Sequence, residues 1–546
     1  MTSLEDIFKV KQVENAPSTI RGILQTKNYE DFIILNDMGD KIYEFKGAKL
    51  ANKCLPGDHV EWNGKCELEL RDEHPQLIGT LELTSKMRYG LTSRGIPIYL
   101  FTPYNKSYPH FIVGCSEKDV STNRIALITF DNWTTMFPRG LLLRIVGMSG
   151  DYDAEKEALI WQSCPYVYPK YEYNPEYKGS EDRVVLSGYT FNIDPQGCKD
   201  VDDVFTFERV DDHWKVTITI SDVASYVEDG SAIDIMASLI GQTLYDLNGK
   251  VIRPMIPSAY SEGVCSLVPG KKSYGISLQF CWNGEITDIR WFESVFETDR
   301  SFTYEDFNAE YPLADIASYL AKEKITDSHK WVEQMMIFYN KEAGAKLKEI
   351  GMGILRKHSA PNIEKLQRYS QILSADIVKL AYSSAEYCLT DEDSLHYGMD
   401  SIYSHTTSPI RRYADLVNQR VLKLFIANSQ NRYIVPLAMY DMNKREKAIK
   451  HFARDMDFLN AIYTNQPTIG IILEKIKIDT FMKIKLYIPN WKRTITTMYK
   501  YISDNYVLSR DEKSMIDVSD YREVVIQYSC NINARNWKER VIISIQ

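Results

Sequence analysis

The spacing of apolar residues changes several times along this chain, and the changes require a multidomain fold. Short apolar runs between Gly, Asn and Asp turns fill the first third, residues 185–300 and the segment after residue 466, which is typical of β-strands. From residue 329, Trp331, Met335 and Phe338 recur at helical intervals, which predicts a core helix. A chain of 546 residues is also longer than a single hydrophobic core usually supports, so three or four domains are expected.

Local patterns predict several individual elements. The alternating residues 214–220 predict a strand, and the short strands at 18–62 predict a small barrel of the OB type. A second β segment spans residues 88–165, and a plain small β domain remains the alternative for both segments. Ser408 and Pro409 predict the start of a helix, because serine caps helices and proline suits the first turn.

Composition indicates an intracellular protein. The nine cysteines include no CxxC pair, which favours a reducing compartment. The first ten residues lack the basic and apolar regions of a signal peptide, and no run of about 18 apolar residues occurs. The cytoplasm is therefore the predicted location, with the nucleus as the alternative, and no membrane partner is expected.

The last segment differs from the rest of the chain in charge. The whole chain carries a net charge of −9, whereas residues 466–546 contain 13 Lys and Arg against 9 Asp and Glu. Basic residues alternate there with aromatic ones, which favours a single-strand nucleic-acid surface over a merely solvated β domain. The residues concerned are Phe481, Lys483, Lys485, Tyr487, Trp491, Lys492, Arg493, Tyr499, Lys500 and Tyr501.

Four carboxylates lie within ten residues in the stretch FNIDPQGCKDVDD, residues 191–203. They are Asp194, Asp200, Asp202 and Asp203. Carboxylates packed this closely repel each other unless a cation neutralises them, and Mg²⁺ prefers such oxygen ligands. A solvated acidic turn is the plain alternative, and the spacing of a calcium loop is absent.

Two long motifs give this chain a family resemblance. The stretch at 191–203 resembles the signature of the RNB domain of the ribonuclease II/ribonuclease R family. Residues 396–399, HYGM, and residues 405–416, HTTSPIRRYADL, are similar to the family block HFGL…Y…FTSPIRRYADL. Residues 128–145 are similar to the second cold-shock domain of the eukaryotic branch, which includes the exosome's catalytic subunit.

The resemblance implies a multidomain α+β architecture. Two N-terminal cold-shock OB barrels would occupy residues 1–84 and 85–170, a mixed RNB catalytic domain 171–465, and a C-terminal OB-type barrel 466–546. The amino-terminal endonuclease (PIN) domain of the eukaryotic subunit is not expected. The expected state is a monomer, and membership of an exosome-like complex stays open.

The resemblance also implies roles for individual residues. Asp194, Asp200, Asp202 and Asp203 would bind Mg²⁺, with Mn²⁺ as the alternative, and Asp200 and Asp202 would take part in catalysis. Arg411 would be both catalytic and substrate-binding, because its planar guanidinium can meet two phosphate oxygens. Tyr245 would stack on the 3′-terminal base, a core tyrosine being the alternative, and Arg412 would pair with Asp415.

The activity implied is processive 3′→5′ hydrolysis of single-stranded RNA to nucleoside 5′-monophosphates, by a Mg²⁺-dependent two-metal mechanism. The substrate would need a free 3′ end. Two other classes remain open, an RNA-binding protein without turnover and a metal-dependent endonuclease or phosphodiesterase.

Overall fold

The computed structural model describes residues 20–72, 74–307, 311–372, 374–391, 393–464 and 468–546. The chain divides into two compact units, one formed by Met1–Pro165 with His451–Gln546 and the other by Tyr166–Lys450. The predicted boundary between residues 465 and 466 lies outside the described residues, as does the start of the first predicted domain. In the part of the chain that the structure describes, every helix is too short or too polar to cross a membrane.

The first unit begins with an antiparallel five-stranded sheet in the order β3-β2-β1-β4-β5. Its core contains Leu24, Phe32, Ile34 and Val60, all of which are fully buried. The strands are β1 (Ile20–Thr26), β2 (Asp31–Leu35), β3 (Lys41–Lys46), β4 (His59–Trp62) and β5 (Cys66–Leu70).

A closed five-stranded barrel follows, in the order β10-β8-β7-β6-β9. Gly79 is required where β6 and β7 pair closely, because a Cβ there would lie 2.3 Å from the carbonyl oxygen of Thr102. The elements are β6 (Gln76–Leu81), β7 (Ile98–Pro103), β8 (Phe111–Gly114), β9 (Arg124–Asn132), β10 (Arg139–Met148) and helix α1 (Tyr152–Ser163).

The second unit is built on a seven-stranded sheet in the order β11-β18-β17-β14-β13-β12-β19. The predicted strand at 214–220 is confirmed as β14. The strands are β11 (Val184–Val185), β12 (Tyr189–Asp194), β13 (Asp203–Val210), β14 (His213–Ser221), β17 (Lys272–Trp282), β18 (Ile286–Glu297) and β19 (Arg300–Thr303), with the hairpin β15 (Leu244–Tyr245) and β16 (Val251–Arg253) beside them.

Two helices share a hydrophobic core with this sheet. The helix predicted from residue 329 is confirmed as one of them, α4, whose Met335 and Tyr339 are buried in the core cluster under the sheet. The helices are α2 (Ala232–Ile240), α3 (Leu313–Ala321), α4 (Ser328–Ile350), α5 (Ile363–Tyr369), α6 (Ala375–Lys379), α7 (Tyr413–Ile426) and α8 (Met439–Tyr463), which ends in the first unit. Short strands lie between them: β20 (Ile354–Lys357), β21 (Glu386–Leu389), β22 (Leu395–His396) and β23 (Ser401–Ile402).

The helix start predicted at Ser408 and Pro409 is wrong, because α7 begins at Tyr413. The Ser408 amide donates instead to Asp415 Oδ1 at 2.8 Å, and residues 409–411 form a turn. Ser408 therefore does not cap the helix. The predicted pair between Arg412 and Asp415 is confirmed, with 2.7 Å between Arg412 Nη2 and Asp415 Oδ1.

The C-terminal segment forms an antiparallel seven-stranded sheet in the order β28-β27-β26-β25-β24-β29-β30. The predicted basic and aromatic surface is only partly correct, because Tyr487, Trp491 and Tyr499 are core residues, whereas Phe481 is exposed. The strands are β24 (Thr468–Ile478), β25 (Phe481–Ile488), β26 (Arg493–Ser503), β27 (Tyr506–Leu508), β28 (Met515–Asp517), β29 (Glu523–Cys530) and β30 (Val541–Ile545). The predicted multidomain α+β fold is confirmed.

Candidate active site

The aspartate stretch lies at one end of the paired strands β12 and β13. Asp194 is the last residue of β12, and Asp203 is the first residue of β13. The loop between them turns at Gly197, whose φ of +81° favours glycine. Because β12 and β13 are antiparallel neighbours, the loop returns Asp200, Asp202 and Asp203 to the strand end that carries Asp194.

Asp202 is the most buried of the four aspartates, with 5% of its surface exposed. Its Oδ1 accepts the Ile410 N–H at 3.0 Å, and its Oδ2 accepts the Nε–H of Arg411 at 3.2 Å. Burial raises the pKa of Asp202 to about 7, although Arg411 and the Ile410 amide oppose the shift. The structure thus joins the two sequence motifs, which lie more than 200 residues apart, through a single carboxyl group.

Arg411 holds Asp202 with its Nε and leaves its terminal nitrogens available. Its side chain is 44% exposed, and among the described residues neither Nη nitrogen donates a hydrogen bond. The backbone of the residue is fixed as well, because its carbonyl accepts the Thr243 N–H at 2.9 Å. The guanidinium is therefore anchored on one edge and open on the other, the geometry needed to meet an incoming anion.

Asp194 and Asp203 form an acidic pair beside Asp202. Burial raises the pKa of Asp203 well above its usual range, and Asp194 and Asp202 raise it further. Burial also raises the pKa of Asp194, whose Oδ2 accepts the side-chain amide of Asn192 at 2.8 Å. Since none of the described residues donates a hydrogen bond to the Asp203 carboxyl group, its oxygens remain available as ligands.

Asp200 is contacted by Tyr245, the residue predicted to stack on the terminal base. The Tyr245 hydroxyl donates to Asp200 Oδ2 at 2.8 Å, and its ring is half-buried. Burial and Asp200 together raise the pKa of Tyr245. The structure therefore places Tyr245 at the site, and its predicted stacking on a base stays a prediction.

Tyr304 also lies at this site, and no sequence pattern identified it. It follows β19, which pairs in parallel with β12 so that Thr303 lies opposite Asp194. Burial and the neighbouring Asp203 and Asp194 raise the pKa of Tyr304 to about 12. Only the pairing of β12 with β19, which joins strands about 100 residues apart, brings this tyrosine to the aspartates.

The donor set suits a hard divalent cation. The residues are carboxylates, which Mg²⁺ prefers, and the raised pKa values of Asp202 and Asp203 show that their negative charges lack sufficient compensation. Within the described ranges, no group of three or more His, Cys, Asp or Glu side chains is gathered closely enough to hold a metal ion. The residues thus fit the cation by chemistry, although their side chains are not assembled around one.

Comparison with known families identifies two regions of the chain. The family model for the RNB domain matches residues 185–316 and 309–428, which include all four aspartates, Tyr245 and Arg411. The model for the Dis3-like cold-shock domain 2 matches residues 98–163, the region of the closed barrel. The barrel is thus an OB-type domain, as the sequence predicted.

Individual relatives are distant. The human exosome complex exonuclease RRP44 is 24% identical over 427 residues, which cover 60% of this chain and 44% of RRP44. The chain therefore spans less than half the length of that relative.

Solved structures share the fold. Mycoplasma genitalium RNase R in complex with ribose-methylated single-stranded RNA has a TM-score of 0.71 and 17% identity, with 96% of this chain and 100% of that chain covered. Yeast Ssd1, a pseudonuclease, has a TM-score of 0.65 and 15% identity, with 94% of this chain and 82% of the Ssd1 chain covered. A common fold thus occurs in proteins with and without nuclease activity.

Proposed function

This chain belongs to the RNB (ribonuclease II/ribonuclease R) family, and from that premise we propose that it is a 3′→5′ exoribonuclease acting on single-stranded RNA. The products would be nucleoside 5′-monophosphates, released processively from a free 3′ end. The observation that carries the proposal is the contact of Asp202 with Ile410 and Arg411, which unites an acidic cluster with an anion-binding guanidinium.

Each residue has a task in this proposal. Arg411, already anchored to Asp202, would direct its open Nη edge at the scissile phosphate, where negative charge increases in the transition state. Asp202 would orient the attacking water, and Tyr245 would hold Asp200 through its hydroxyl while its ring supports the terminal base. Because stacking tolerates any base, the proposed activity would be independent of sequence.

We propose that Asp194, Asp200, Asp202 and Asp203 hold Mg²⁺, with Mn²⁺ as an alternative. Two such ions would supply positive charge to the attacking and leaving oxygens of the phosphodiester. The support in this chain is the half-buried, like-charged pair Asp194 and Asp203. Burial and neighbouring carboxylates raise both pKa values, and a bound cation would favour the ionised forms.

A second candidate is an RNA-binding protein without turnover. The fold similarity to the pseudonuclease Ssd1 favours it. Against it, this chain has an intact acidic stretch and an Arg411 whose terminal nitrogens are open, features that a binding protein does not require.

One degradation assay separates the candidates. Purified protein and Mg²⁺ are incubated with a 3′-end-labelled single-stranded RNA, and with a circular RNA of the same sequence as the matched control. The proposal predicts that the label is released at once as a mononucleotide while the circle stays intact. Internal fragments from the circle indicate an endonuclease, and RNA binding without any release indicates the second candidate.

A further inference from the structure

Asn340, in the middle of α4, is bonded to a segment that leads directly to the candidate site. The side chain is 3% exposed, and its Oδ1 accepts both the Thr406 N–H at 2.9 Å and the Thr406 hydroxyl at 2.8 Å. Its Nδ2 donates to Tyr403 Oη and Thr407 Oγ1, each at 3.2 Å. Both lone pairs and both N–H groups of the amide are therefore used on one short stretch of chain.

The backbone of Asn340 adds two contacts to the same stretch. Its carbonyl oxygen accepts the Ser404 N–H at 3.3 Å and the Ser404 hydroxyl at 3.0 Å. One turn further along α4, a Cβ on Gly344 would lie 3.1 Å from the backbone nitrogen of Ser404. Helix α4 thus touches the backbone of this stretch at two successive turns, and a glycine permits the second contact.

The same stretch leads directly, along the backbone, to the residues that bind Asp202. We call residues 403–411 the Arg411 segment. Ser404, Thr406 and Ser408 are all buried, and the Ser408 amide is held by Asp415. Its last two residues, Ile410 and Arg411, make the two contacts to Asp202. A displacement at Thr406 would therefore be carried through a packed, hydrogen-bonded chain to the guanidinium.

We propose that Asn340 is a positioning residue, which with Gly344 sets the Arg411 segment so that Ile410 and Arg411 meet Asp202 in register. The proposal rests on the proposed nuclease function, and it adds a residue outside both sequence motifs that sets the position of the catalytic groups. Asn340 touches none of the candidate catalytic residues itself. A misplacement of about 1 Å at the reacting groups can lower a rate about 100-fold, so a displacement of this segment would lower turnover.

Two variants perturb the segment in different ways. Asn340→Ala removes the amide, whereas Gly344→Ala keeps every hydrogen-bonding group and pushes the backbone of Ser404 by a few tenths of an ångström. Met335→Ala is the matched control, because Met335 is a buried residue of the same helix that belongs to the core under the sheet. The second variant keeps the test available if Asn340→Ala does not fold.

Hydrogen exchange followed by mass spectrometry tests the positioning without any need for activity. The proposal predicts that amides in residues 404–411 exchange at least about tenfold faster in Asn340→Ala and Gly344→Ala, since their local opening becomes easier. Met335→Ala should leave that segment at the wild-type rate. Unchanged exchange in both variants, or the same acceleration in the control, would overturn the proposal.

Kinetics then separates positioning from loss of structure. Asn340→Ala should lower kcat about 100-fold with KM nearly unchanged, because the substrate still binds while the reacting groups are out of register. In an Arg411→Lys background the same substitution should cost far less, since the group it positions is already altered. Full additivity contradicts the proposal. A wild type that lacks turnover refutes the nuclease function instead, and the exchange result still decides the role of Asn340.

Discussion

Replacing Arg411 with lysine tests what the guanidinium contributes beyond its charge. The Nε of Arg411 is occupied by Asp202 at 3.2 Å, while its Nη nitrogens are open among the described residues. Lysine keeps the positive charge but has one nitrogen, so it cannot bind Asp202 and also present a two-pronged edge to phosphate. The substitution therefore removes at least one charge-assisted hydrogen bond from the transition state.

The size of the effect follows from that count. A hydrogen bond to a charged group contributes about 1.5–3 kcal/mol, and about 1.4 kcal/mol corresponds to a tenfold change in rate. We therefore expect Arg411→Lys to lower kcat about 10- to 150-fold, with a smaller change in KM. Arg411→Ala should lower kcat further, because it also leaves Asp202 without its neighbouring cation.

Single-turnover release of labelled mononucleotide from single-stranded RNA measures this loss directly. Arg412→Lys is the matched control, since the Arg412 side chain is paired with Asp415 and lies next in sequence. It should change thermal stability more than turnover. A wild-type kcat in Arg411→Lys, or equal losses in the two variants, would refute the role assigned to Arg411.

Two further predictions concern the carboxylates and Tyr245. Burial and the neighbouring carboxylates hold the pKa of Asp203 well above its unfolded value, so its ionisation destabilises the metal-free fold. Stability in EDTA should therefore fall as pH rises above the ordinary aspartate pKa of about 3.9. Asp203→Asn should reduce that loss of stability. A gain of about 1 kcal/mol in the free energy of unfolding corresponds to about 2–4 °C in Tm, which scanning fluorimetry measures. A lower Tm than wild type at the alkaline end would contradict this prediction. Tyr245→Phe should retain RNA affinity because the ring remains, whereas Tyr245→Ala should weaken binding by about 1–3 kcal/mol in a titration. Equal affinities of the two Tyr245 variants would exclude stacking.

Local sequence was sufficient for part of the site. The aspartates could be predicted because all four lie in one short stretch, where the spacing of acidic residues is visible in the sequence alone. The helix α4 and the strand β14 followed from their apolar spacing. Tyr304 and Asn340 could not be found in this way, because strand pairing and helix packing bring them to residues far away in the sequence.

The two errors also have physical causes. Ser408 and Pro409 have the residue types of a helix start, yet Asp415 takes the Ser408 amide and the turn directs the Ile410 N–H to Asp202. In the C-terminal sheet, Trp491 and Tyr499 lie among basic neighbours in sequence but are buried. Trp491 packs against Phe458 and Tyr528, which are far from it in sequence. Tertiary contacts override the local preference in both cases.

The most direct test of the central claim compares wild type with Asp202→Asn. Asparagine has nearly the same shape and can still accept the Ile410 N–H, but it lacks the charge that pairs with Arg411. In an assay with Mg²⁺ and end-labelled single-stranded RNA, the wild type should release mononucleotides, whereas the variant should bind the RNA and release none. Release by the variant at the wild-type rate would contradict the account.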